Sequence, residues 1–164
     1  MPVSADSLRQ HLDYSAWATQ RLLDSAAKLA DDELRRDFRT ADKTVLDTLA
    51  HIYAADRIWL VRVKGETRAA FIDPEDRDLT LLIAEWPALY QRWKLYLCDL
   101  TDQDMLRVVS FKDTKGNPYN QPLWQILLHV VNHATHHRGQ VSGFLRALGK
   151  TPPPLDLMAY YRTA

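Results

Sequence analysis

Only one cysteine, Cys98, occurs in the 164 residues, so no intrachain disulfide can form. A lone thiol suits a reducing cytoplasm, the expected location. Cys98 falls in an apolar helical stripe and is expected to pack there rather than act as a nucleophile. Charge of either sign is missing in the sum: 21 Lys and Arg offset 21 Asp and Glu. Proteins that bind nucleic acid draw most of their affinity from neutralising phosphates and carry a basic surplus, so no nucleic-acid partner is expected. No run approaches the ~20 apolar residues of a membrane span, and no basic-then-apolar leader opens the chain. Glycine is scarce, at five residues, and no glycine-rich phosphate loop is present. Internal repeats, low-complexity tracts and domain linkers are absent as well. The 46% hydrophobic and 26% charged content is that of an ordinary globular chain, and residues 1–164 are expected to form one domain.

Four long segments carry a helical period. The first spans about Ser4 to Leu29, with Leu8, Leu12, Ser15, Leu22, Ala26 and Leu29 at helical spacing. The charged, aperiodic stretch from Ala30 to Lys43 reads as a connection. The second segment, about Thr44 to Lys64, is apolar nearly all round and stops at Gly65. Asp73-Pro74 marks the following loop, and Asp78 is a natural cap for the third segment. That segment keeps Leu79, Leu82, Ile83, Trp86, Tyr90, Trp93, Leu97 and Leu100 on one stripe. Pro87 lies within it, so the helix either kinks there or frays at its start, and periodicity on both sides favours the kink.

The rhythm breaks between Met105 and Gln121. Arg107 to Phe111 and Tyr119 to Gln121 flank Asp113-Thr-Lys-Gly-Asn117, the pattern of a short β-hairpin. The fourth helix opens near Pro122 and ends before Gly149. Beyond Pro152-Pro-Pro154 a last turn is expected between Asp156 and Ala164. The fold class is therefore all-α: a four-helix bundle with a short β-hairpin between helices 3 and 4.

Four of the six histidines crowd into the last helix: His129, His133, His136 and His137. At about 100° per residue, Ile126, Val130, His133, His137, Val141, Phe144 and Leu148 share one sector, with Trp124 and Leu128 outside it. His133 and His137 thus take positions where leucine would be expected, and His129 and His136 lie on a flank. Imidazoles in a core stripe must be satisfied. Spacing i, i+4 stacks them closely enough to converge on one ion. The alternative is a pair of core histidines hydrogen-bonded to carbonyls or carboxylates, and the helix alone does not decide. A third ligand would come from His11 or His51, which geometry barely separates. There is no H-E-x-x-H, and the Glu-x-x-His of ferritin-like di-iron bundles is missing.

Leu49-Ala-His-Ile-Tyr-Ala-Ala-Asp56 followed by Trp59, His133-Ala-Thr-His-His-Arg-Gly-Gln140 and the terminal Thr151-Pro-Pro-Pro-Leu-Asp156 together resemble the DinB-like family of metalloenzymes. The likeness covers essentially the whole chain. It implies an up-down-down-up four-helix bundle, often a homodimer, with one divalent transition metal on His51, His133 and His137. Nickel or zinc is the implied ion, and three imidazoles also suit iron or copper. His129 and His136 are implied to be flanking residues, His129 being the nearest substitute ligand.

Three neutral imidazoles leave such an ion its full charge and an open position, where a thiol or a water can be activated. Relatives in the wider superfamily are thiol-dependent S-transferases and isomerases, so the resemblance implies a small-molecule thiol and an electrophile as partners. A metal-dependent hydrolase and a non-catalytic metal-binding stress-response protein are the other readings. Asp47 and Asp56 are candidates to orient a ligand histidine, although both read more simply as surface or capping carboxylates. Arg138 points away from His133 and is expected at the surface.

Overall fold

In the computed structural model, which describes residues 3–67 and 70–163, the four periodic segments are helices. Ser4 accepts a hydrogen bond from the backbone N–H of Ser7 and starts α1, Ala5–Ala26. A single turn, α2 (Asp31–Leu34), follows within the connection. Helix α3, Val45–Val63, is capped by Thr44, whose hydroxyl accepts from the N–H of Asp47 and donates to the Asp47 carboxylate. Gly65 ends it with a φ of 74°, a conformation that costs glycine little. Asp78 caps α4, Leu79–Leu97. Its start is not frayed, and the helix runs through Pro87 without interruption. Strands β1 (Val108–Lys112) and β2 (Pro118–Pro122) pair antiparallel, with Phe111 opposite Tyr119. Helix α5, Leu123–Ala147, comes straight out of β2, and α6, Leu157–Tyr161, closes the chain.

Contacts along the helices give their directions. Arg9 reaches the carbonyl of Leu97 while Ser15 and Thr19 meet Tyr90, so α1 and α4 run antiparallel. Tyr53 packs on Trp86 and Tyr96 bonds to Val63, so α3 and α4 run parallel. His51 faces His133 and Trp59 faces His129, so α3 and α5 are antiparallel. The bundle is therefore up-down-down-up. Parallel α3 and α4 need a connection that returns along the bundle, and residues 64–78 provide it. Arg57 pins its 3-10 turn, Pro74–Arg77, to α3 through a two-pronged ion pair with buried Asp76 at 2.8 and 2.6 Å.

A polar layer crosses the apolar core. Arg138, 2% exposed, donates to the hydroxyls of Ser15 at 2.8 Å, Thr19 at 3.3 Å and Thr135 at 2.9 Å. Asp56, 1% exposed, accepts from the Trp86 indole at 2.9 Å and the Tyr90 hydroxyl at 3.0 Å. Tyr90 in turn lies within hydrogen-bonding distance of Ser15 and Thr19. Burial pushes the Asp56 carboxyl up to about 6, against the opposing pull of Trp86, Tyr90 and the Arg138 charge. Both residues correct the sequence expectation, which placed Arg138 at the surface and favoured a surface or capping role for Asp56. The Arg138 correction has a simple origin. The buried residues of α5, among them Leu127, Val131, Ala134, Ser142 and Leu145, centre the core sector on position 138, to one side of the sector drawn through His133 and His137. Cys98 also departs from expectation: it is exposed just past α4, donating to the carbonyl of Leu95.

Candidate metal centre

Because α5 makes one turn in four residues, His133 and His137 stand one above the other, and antiparallel α3 sets His51 against both. The three ring centroids form a triangle with sides of 5.0, 4.5 and 4.5 Å. Each ring offers one nitrogen within 4.8 Å of the other two, a group able to hold a metal ion. All three histidines are half-buried at the rim of the core rather than inside it, so the cluster is reached from solvent.

The Nε2 atoms of His51 and His133 are 3.1 Å apart. Two nitrogens bound at 2.0–2.1 Å to one tetrahedral ion would lie roughly 3.3 Å apart, so the spacing fits the donor set. It does not suit charged rings. Burial, then His137, His51, His129 and His136, pull His133 down to about 3. Burial likewise lowers His51, with Asp42 pulling the other way. Neutral imidazoles are the ligating form. His133 turns Nε2 toward His51, while its Nδ1 is buried without a hydrogen-bond partner among the described residues.

Behind the cluster stands a residue that the sequence reading passed over. Asp42 places one carboxylate oxygen 3.3 Å from His137 Nδ1 and the other 4.0 Å from His51 Nδ1. His137 Nδ1 also meets Gln140 Oε1 at 2.6 Å. Proton-accepting groups on Nδ1 keep the proton there and turn Nε2, with its lone pair, inward. The loop that carries Asp42 is tightly specified. Arg39 and Lys43 adopt positive φ values of 59° and 58°, uncommon for side-chain-bearing residues. The Phe38 N–H donates to the Lys43 carbonyl at 2.8 Å, and the Phe38 ring stacks on Phe144 at 4.3 Å. No helical period runs through residues 37–43, so nothing in the sequence marked Asp42.

The other candidates lie elsewhere. His129 is exposed, edge-on to Trp59, and its ring centroid is 5.7 Å from that of His133. His136 is exposed beside His137. His11 Nδ1 meets the Ser7 carbonyl within α1. Asp47 accepts from the Thr44 hydroxyl and pairs with Arg77 rather than with a histidine. A cleft of about 760 Å³ opens between α3, the start of the 64–78 connection and the hairpin. Phe71 lines it and meets His51 edge-on at 5.5 Å.

An up-down-down-up helical bundle with three histidines converging between its second and fourth long helices defines a class of helical proteins able to hold a metal ion. The chain belongs to the DinB family, whose model matches residues 1–164. It is 23% identical over 154 residues to "Protein DinB" of Bacillus subtilis (strain 168), an alignment covering 90% of each chain. Its fold is similar to the crystal structure of a DinB-like protein from Bacillus cereus ATCC 10987. That match has a TM-score of 0.66 and 21% identity, and covers 94% of this chain and 99% of the other. No helix among the described residues is long and apolar enough to cross a membrane.

Proposed function

We propose that this protein binds one divalent transition metal through Nε2 of His51, His133 and His137 and is an enzyme acting on a small-molecule thiol or on water. The convergence of three imidazoles on one point carries the reading. The side chains divide the work. Gln140 and Asp42 hold the outer nitrogen of His137, and the polar layer around Arg138 fixes the rotation of α5 that presents His133 and His137. Bound there, the ion supplies Lewis acidity that makes a thiol or a water nucleophilic near neutral pH. With a thiol, sulfur forms the new bond to an electrophilic carbon, and the leaving group departs with the thiol proton. This S-transferase reading rests on resemblance within the wider superfamily. The adjoining cleft favours an enzyme over a binder without turnover, since it gives a small substrate a place next to the cluster. Nickel or zinc is the expected ion, the cytoplasm the expected location and a homodimer the expected assembly.

Elemental analysis of protein purified without an affinity tag is expected to give about one metal per chain, and none would sink the proposal. Glutathione, bacillithiol and mycothiol, each offered with a generic electrophile, separate a transferase from the alternatives. A metal-dependent rate on esters alone would indicate the hydrolase, and no metal-dependent rate on any of them would indicate the non-catalytic binder.

A further inference from the structure

The cleft beside the cluster has a charge pattern of its own. Arg62 lies on α3 eleven residues after His51, which at 100° per residue brings it to nearly the same helix face, roughly 16 Å further along the axis. Its guanidinium sits 4.6 Å from the centre of the Trp59 ring and 5.2 Å from that of Phe111. It is half-buried and donates one hydrogen bond, from Nη2 to the Lys112 carbonyl at 2.9 Å. Among the described residues it has no ion pair.

The carboxylates in the same cleft are committed elsewhere. Glu66 pairs with Lys64 at 2.6 Å. Asp113 accepts from the N–H groups of Lys115 and Asn117 and from the Asn117 amide, closing the hairpin turn. Arg62 and Lys112 thus line the cleft with no ion pair among the described residues, although the Asp113 charge acts on Arg62. Ile58, Phe71, Phe111 and Tyr119 supply apolar and aromatic surface around them. A guanidinium braced by two rings, stripped of part of its water and still holding free N–H groups, is built to take a planar anion in a two-pronged contact. Burial lowers the Arg62 pKa, and only the charge of Asp113 opposes it, as expected for a cation short of a counter-ion.

We infer that this cleft is a binding site for a small organic carboxylate, with the acid group on Arg62 and Lys112 and an apolar or aromatic body along Phe111, Tyr119 and Ile58. Phe71 belongs both to the cleft and to the surroundings of His51, so the cleft and the three histidines share one wall residue. As the identity of a substrate this rests on the proposed metal chemistry. As a binding site it does not.

The test uses the full chain, ¹⁵N-labelled and treated with EDTA so that no metal can hold the carboxylate. Phenylacetate is the probe, with benzyl alcohol and inorganic phosphate as the uncharged and the non-apolar controls. Saturable amide shifts are expected at Arg62, at Ser110 to Asp113 and at Tyr119 and Asn120, with weaker binding of both controls. Arg62→Gln is expected to weaken phenylacetate binding by roughly ten-fold or more, the loss of a charge-assisted pair. Lys112→Gln, at an exposed position that cannot disturb the core, is expected to weaken it by a smaller factor, and His11→Ala, on another helix, to leave it unchanged. Absence of saturable shifts, equal binding of benzyl alcohol or phosphate, or unchanged affinity in both the Arg62 and Lys112 variants would overturn the inference. The metal content of untreated protein decides the metal reading separately.

Discussion

A carboxylate oxygen of Asp42 lies 3.3 Å from Nδ1 of His137, and the other oxygen of the same group faces Nδ1 of His51. One side chain thus lies close to histidines on two different helices. Outer partners of ligand histidines commonly govern metal affinity by 10- to 100-fold. Asp42→Asn, which keeps the shape and removes the charge, is expected to weaken metal binding by roughly 10- to 100-fold. Competition against a chromogenic chelator measures this without reference to activity. Unchanged affinity would show that Asp42 is only a loop residue.

Removing one ring of the three should empty the centre. His137→Ala is expected to lose the metal found in the unaltered protein, while His11→Ala keeps it, because His11 is engaged with the Ser7 carbonyl on another helix. Metal analysis of the two variants, purified side by side, settles the comparison. Equal metal in both would exclude His137 as a ligand.

The buried carboxyl of Asp56 gives the fold a pH dependence of unusual sign. Its folded pKa of about 6 lies above the ordinary 3.8, so between these values the folded chain holds the proton more tightly than the unfolded chain does. Its stabilising contribution is complete below about pH 4 and fades as pH rises to 6. A shift of this size corresponds to about 3 kcal/mol. Urea titrations at pH 4 and pH 6 are expected to show about 2 kcal/mol of this loss in the unaltered protein relative to Asp56→Asn, which cannot titrate. Parallel pH profiles for the two would remove Asp56 as the cause.

Arg138 is the other half of the same layer. Arg138→Met keeps much of the volume but removes the donor to the hydroxyls of Ser15 and Thr135 and the positive charge nearest to Asp56 in the layer. A cost of about 1–3 kcal/mol is expected at pH 7, read from denaturant midpoints. Combining it with Asp56→Asn should cost less than the two changes summed, because the uncompensated charge is gone. Simple additivity would mean that the two residues do not sense one another.

Much of the architecture was legible in the chain. Ser4, Thr44, Asp78 and Pro122 marked the starts of the four long helices, and Gly65 and Gly149 the stops of two, within a residue or two, while α1 and α4 stop three residues short of Leu29 and Leu100. The turn at Asp113 to Asn117 marked the hairpin. His51, His133 and His137 do come together, the first of them indicated only by likeness to a family. What escaped the sequence shares one cause. The stripe method assigns the inside of a helix to its most apolar sector, so it cannot foresee a core that accepts charge. Arg138 and Asp56 are joined across the bundle through Ser15, Thr19 and Tyr90, and neither is visible from its own helix. Asp42 was hidden differently, since loop residues have no period and their position depends on backbone turns such as those at Arg39 and Lys43.

The chain distance between the rings that meet most closely has a kinetic consequence. His51 and His133 are 82 residues apart and come from the second and the last of the long helices. The pair cannot form until the C-terminal helix has docked, after the costly closure of that long loop. Any ion held by both is therefore gripped late, once the rest of the bundle is assembled. Contacts made after the transition state slow unfolding and leave the folding rate nearly untouched. Metal loading should accordingly act as a latch on the finished molecule, lengthening its lifetime against proteolysis rather than hastening its assembly.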